Sequence, residues 1–89
     1  MWGDDRPFIL KWSPTWPDTP DVKQDFTGKD ANRPVMYARV YRSPAGAHPG
    51  KSWFWTVFAT HQIDSGHERT TSAAARKAEE AYLAWRDKQ

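Results

Sequence analysis

The residues best suited to chemistry lie in the middle of the chain. Ala45-Gly46-Ala47-His48-Pro49-Gly50-Lys51-Ser52 matches a relaxed phosphate-loop pattern with Ala in the first Gly position, in which backbone amides and a Lys would cradle phosphates. That chemistry needs a strand before the loop and a helix N-terminus after it. Here Ser52 runs into Trp53-Phe54-Trp55-Thr56-Val57, which is β-forming by composition and alternation, so the segment reads as a hairpin loop. His61, Asp64, His67 and Glu68 offer nitrogen and oxygen ligands. Structural zinc sites mostly use Cys at fixed short spacings, and nothing in this spacing makes the four side chains converge. The chain has no Cys, which removes thiolate ligands, disulfides and Cys nucleophiles together. Ser and His occur without a nucleophile elbow, and the pairs Asp4-Asp5 and Glu79-Glu80 read as solvated surface. No constellation for acid–base or nucleophilic work emerges, so the expectation is a non-catalytic protein, not an enzyme, with no cofactor and no metal.

What the middle of the chain does offer is binding chemistry. Residues 31–60 hold four bases and no acid, whereas residues 1–30 hold six acids against four bases and residues 61–89 hold five of each. Arg33, Arg39, Arg42 and Lys51 are interleaved with Tyr37, Tyr41, Trp53, Phe54, Trp55 and Phe58, a mixture that serves either a nucleic-acid phosphate or an acidic protein surface. A net charge of +2 and a pI near 9.1 are too mild to choose between them.

These residues must be positioned by very little chain. Eighty-nine residues at 10.3 kDa make one small domain and exclude a two-domain enzyme. Leu, Ile, Val and Phe number only 12, a fraction that suggests disorder, but six Trp and three Tyr supply the missing apolar area, and the small net charge does not hold the chain open. The core should be aromatic-rich. No apolar run approaches the roughly 18 residues of a membrane span, and Asp4, Asp5, Arg6 and several Pro near the start do not fit a secretory signal. A soluble cytoplasmic protein is expected, with no membrane partner.

Five of the seven Pro fall within residues 1–34, which precludes a helix of useful length there. The alternation of Phe8, Leu10 and Trp12 predicts a short strand over 7–12, ended by Ser13-Pro14, followed by an irregular arm over 13–32 anchored by Trp16 and Phe26. From Val35 to Arg42 a strand places Met36, Ala38 and Val40 on one face and Tyr37, Arg39 and Tyr41 on the other. A turn-rich loop joins it to a second strand over 53–60, with Trp53, Trp55 and Val57 inward and Phe54, Thr56 and Phe58 outward. A short edge strand is expected around Ile63. Thr70, Thr71 and Ser72 are candidate N-caps for a helix from Ala73 to Asp87 with a stripe of Ala74, Ala78, Ala81, Tyr82 and Trp85. The fold class is therefore α+β: a small antiparallel sheet of two to four strands backed by one C-terminal Ala-rich helix. In domain terms, a Pro-rich N-terminal arm occupies 1–34 and the hairpin and helix occupy 35–89.

Lys-Ser-Trp-Phe-Trp-Thr-Val from Lys51, the turn near Gly66-His67, Thr70-Thr71, Ala73-Ala74-Ala75 and Ala78-Glu79-Glu80-Ala81-Tyr82 together resemble the closing half of a known domain type. It is the strand-strand-strand-helix domain of phage integrase arm-binding modules and plant ethylene-response factors, and short phage and prophage proteins show the same pattern. The resemblance implies a sheet whose open face lies in the DNA major groove, with contacts from Arg39, Arg42 and Lys51 together with Tyr41. The acidic Asp64 in the third strand and the Pro-rich arm depart from the pattern.

Two functions are open at this point. One is a protein-binding module that uses an aromatic and basic sheet face, Tyr37, Arg39, Tyr41, Arg42, Lys51, Phe54 and Phe58, since Trp, Tyr and Arg concentrate binding energy. A small phage-style chain of this kind would serve as an inhibitor of a host complex, an anti-CRISPR or other anti-defence role included. The alternative is a nucleic-acid-binding module centred on Tyr37, Arg39, Tyr41, Arg42 and Lys51. The acids of the arm disfavour phosphate, so a protein partner is the first expectation, with the chain a monomer or a homodimer.

Overall fold

The computed structural model of the chain describes residues 7–18, 24–42, 50 and 52–88. The alternation read above forms its central hairpin: β3 (Tyr37–Arg42) pairs antiparallel with β4 (Trp53–Phe58), from Tyr37 opposite Phe58 to Arg42 opposite Trp53. Met36, Ala38, Val40, Trp55 and Val57 are all buried, so the inward row is the core. The 43–49 segment and Lys51 lie outside the described residues. Since Ser52 leads into a strand and not a helix, the phosphate-loop pattern lacks the helix N-terminus its chemistry needs.

Among the described residues the sheet has five strands where two to four were expected, in the order β1-β2-β3-β4-β5, every neighbouring pair antiparallel. The edge strand expected around Ile63 is β5, Gln62–Glu68. The unexpected strands come from the N-terminal third. β1 is Lys11–Pro14, displaced toward the C-terminus from the expected 7–12 and running through the Ser13-Pro14 step. Pro14 is tolerated because β1 is the sheet edge, where a missing amide donor costs no ladder bond. β2, Asp25–Lys29, lies within the expected irregular arm. Asp-Phe-Thr-Gly-Lys has weak intrinsic strand preference, and its conformation comes from pairing on both sides, with β1 and with β3.

One helix, α1 (Thr71–Asp87), packs across β3, β4 and β5. Thr70 is its N-cap, and the Oγ1 accepts from the Ala73 amide at 3.1 Å. Ala74, Ala75 and Ala78 are buried, and their small side chains let the helix axis approach the sheet while Tyr82 fills the space beside it. Among the described residues no helix is long and apolar enough to cross a membrane.

Two strand glycines serve as seats for indole rings. Trp12 lies opposite Gly28, and a Cβ at that glycine would come within 2.9 Å of the ring; Trp55 lies opposite Gly66, where the approach would be 2.8 Å. The helix thus covers β3 to β5, while Trp12, laid over β2, and the buried Leu10 extend the core toward β1.

Glu79 corrects the reading of Glu79-Glu80 as solvated surface. It is 5% exposed, and its Oε2 accepts from Ile9 N, Leu10 N and Trp12 Nε1, each at 3.0 Å. The chain ahead of β1 returns along the helix and roofs this carboxyl, a tertiary event that the helix sequence does not encode. Beside it the Arg76 guanidinium stands 4.0 Å from the Phe8 ring centre.

Candidate interaction face

The side of the sheet away from the helix is fixed by strand alternation. β2 contributes Asp25, Thr27 and Lys29, because Phe26 and Gly28 pair with the inward Val40 and Ala38. β3 adds Tyr37, Arg39 and Tyr41; β4 adds Phe54, Thr56 and Phe58; β5 adds Ser65 opposite Thr56 and His67 opposite Phe54. On β1, Trp12 points inward, so Lys11 and Ser13 point outward.

These residues form two bands of rings separated by a polar row. Tyr37 and Phe58 stack with centroids 5.4 Å apart and planes 6° from parallel, and the Lys29 ammonium stands 5.9 Å from the Tyr37 centroid. In the other band Tyr41 contacts Phe54 at 5.2 Å and Phe54 contacts His67 at 5.0 Å. Between the bands run Thr27, Arg39, Thr56 and Ser65. Such pairs stabilise the sheet and also leave a half-buried aromatic surface.

Arg39 is the cation at the centre of this face, and it is already engaged. Its Nε donates to Asp25 Oδ1 at 3.0 Å and its Nη2 to Oδ2 at 2.6 Å, a two-pronged ion pair, while the guanidinium lies 4.7 Å from the Tyr41 centroid. Trp16 Nε1 donates to the same Oδ2 at 3.2 Å. Burial alone would push the Asp25 carboxyl up, but the hydrogen bonds from Arg39, Thr15 and Trp16 and the Arg39 charge outweigh it and hold it below its ordinary value. The hydrogen bond to Asp25 in turn pushes the Arg39 guanidinium up.

Of the residues expected to form the binding surface, Tyr37, Arg39, Tyr41, Phe54 and Phe58 share this face. Arg42 does not: it pairs with Trp53, and the period of two puts it on the opposite side at the strand end, so charge content alone had grouped it with the others. Lys51 lies outside the described residues. Phe8, Leu10 and Trp12 lie on the helix side, whereas Trp16 reaches the outer face through Asp25. Lys11, Asp25, Thr27, Lys29, Ser65 and His67 join the face without having been foreseen. For β2 the alternation of Asp25, Thr27 and Lys29 with Phe26 and Gly28 assigns faces only once pairing with β1 and β3 has made the segment a strand. His61 is exposed before β5, and along β5 His67 points outward while Asp64 and Glu68 pair with the inward Val57 and Trp53. Among the described residues no group of three or more such side chains could hold a metal ion.

No family model, curated protein or solved structure matches this chain. A role is therefore argued from the face itself.

Proposed function

We propose that this protein is a non-catalytic interaction module that binds a protein partner through the outer face of its sheet. The observation that carries this reading is the Arg39–Asp25 pair. It neutralises the central cation in place and leaves half-buried rings as the dominant chemistry around it, with Lys11 and Lys29 at the β1–β2 side of the face. Tyr37, Phe58, Tyr41 and Phe54 supply half-buried aromatic area of the kind that concentrates energy at protein interfaces. A nucleic-acid module would need Arg39 and Arg42 directed at phosphates, but the first is held by a carboxylate and the second is on the other side. A chain of this size suits a phage-type inhibitor that acts by covering a surface of a host complex, with anti-CRISPR and other anti-defence roles in that class.

The test is amide chemical-shift mapping while short duplex and single-stranded DNA are titrated at two salt concentrations. Silence at low salt is expected; salt-dependent shifts across Tyr37–Tyr41 would replace this reading with nucleic-acid binding. A partner captured by the wild-type chain should be lost by Phe58→Ser with the fold intact by circular dichroism.

A further inference from the structure

Lys11 and Lys29 are direct cross-strand partners on the outer face. Like charges opposite one another in an antiparallel pair destabilise it unless something neutralises them. Both residues are exposed, and among the described residues neither makes an ion pair. Among the described residues the one carboxylate on this face, Asp25, is committed to Arg39, so two uncompensated positive charges remain at the β1–β2 side. Lys29 also stands over Tyr37, which stacks on Phe58, so the cations border directly on the apolar band.

Resting on the protein-binding reading above, we propose that the partner presents an acidic segment in which carboxylates alternate with apolar side chains. The carboxylates meet Lys11 and Lys29, and an apolar side chain settles on the Tyr37–Phe58 stack. Nucleic acid fits this corner less well. A duplex would find two cations where nucleic-acid binders typically neutralise about six to ten phosphates. A carboxylate pair matches the two charges without leaving a run of anions over the Tyr41–Phe54–His67 ring band. Electrostatic matching of this kind orients a partner and rejects basic ones.

The probes are a short blocked peptide alternating Glu with Leu, its counterpart with Gln for Glu, a Lys-for-Glu version, and a short oligothymidylate, each titrated while the resonances of Lys11, Lys29, Tyr37 and Phe58 are followed. The acidic peptide is expected to shift all four and to bind about tenfold more tightly than the Gln peptide, on the scale of two exposed ion pairs. Lys11→Gln with Lys29→Gln should erase that difference, and Lys11→Glu with Lys29→Glu should turn the preference toward the Lys peptide. Equal binding of the Glu and Gln peptides overturns the acidic partner while leaving protein binding in place. Oligothymidylate binding without peptide binding overturns both. Silence of every probe at millimolar concentration overturns the acidic partner.

Discussion

At Asp25 the unfavourable burial of a charge is set against three donors, and the donors win. The depressed carboxyl gives the pH dependence a definite sign. Its stabilising contribution is complete above the unfolded value of about 3.9 and is lost as pH falls through the lower folded value. Asp25→Asn keeps the shape but removes the charge that Arg39 needs. It should cost about 1–3 kcal/mol at neutral pH, since Arg39 is partly solvated and recovers some hydration, and it should flatten the loss of stability in acid. Urea unfolding at neutral pH and near pH 3 checks both; an unchanged midpoint at neutral pH would show the pair to be ornamental. Tyr82 bears on the alkaline side. Burial pushes its phenol up and the hydrogen bond it donates to Asp30 pushes it further, so the stability it adds is present below about pH 10 and is lost as pH rises through the raised folded value. Tyr82→Phe should therefore cost about 1 kcal/mol at neutral pH and blunt the alkaline loss, measured by the same titration.

The strands and the helix show what the sequence could reveal at the level of elements. Where alternation is strong the inference held: Met36, Ala38, Val40, Trp55 and Val57 are buried, and α1 begins at its Thr cap and carries its Ala stripe inward. Where strand identity depends on neighbours it failed. Asp25–Lys29 combines Asp and Gly, two poor strand formers, and becomes β2 only because β1 and β3 flank it. Gly28 and Gly66 were unreadable for a related reason: a strand glycine looks like a weakness until the tryptophan across from it is known. The seats make a prediction that opposes intrinsic preference. Alanine is a better strand residue than glycine, yet Gly28→Ala and Gly66→Ala should each destabilise by about 1–3 kcal/mol, because the added carbon meets an indole closer than contact distance and the rings are held by the core. Thermal unfolding decides it, and a rise in melting temperature for either variant would mean that the ring moves aside freely. The outer face was half legible. Its β3 and β4 rings followed from alternation, whereas Lys11 and Lys29 had to wait for a register that no local pattern contains.

Across the whole molecule, the outer face depends on a carboxyl on the other side of the sheet. The helix packs directly over β3, β4 and β5 and reaches β1 only through Glu79, so β1 is held by its ladder with β2, by Trp12 in its glycine seat, and by the three donors that converge on that carboxyl. Removing that acceptor leaves two backbone amides and an indole N–H without a partner in a partly buried site, a loss on the order of 2 kcal/mol. The loss should be local. β3, β4, β5 and α1 keep their shared core, while residues 9–14 open from their positions along the helix and β2. Glu79→Ala should therefore abolish amide exchange protection at Leu10 and along the β1–β2 ladder and leave that of Val40 and Val57 nearly intact, whereas Glu79→Gln, which retains a carbonyl acceptor, should preserve part of the β1 protection. Lys11 stands opposite Lys29 only while β1 is docked, so the same Ala variant should also weaken the acidic peptide at the outer face, although residue 79 never touches that surface. Protection at Leu10 that survives Glu79→Ala would show that the β2 ladder and the glycine seat suffice to hold the strand, and would cut the link between the helix carboxyl and the binding face.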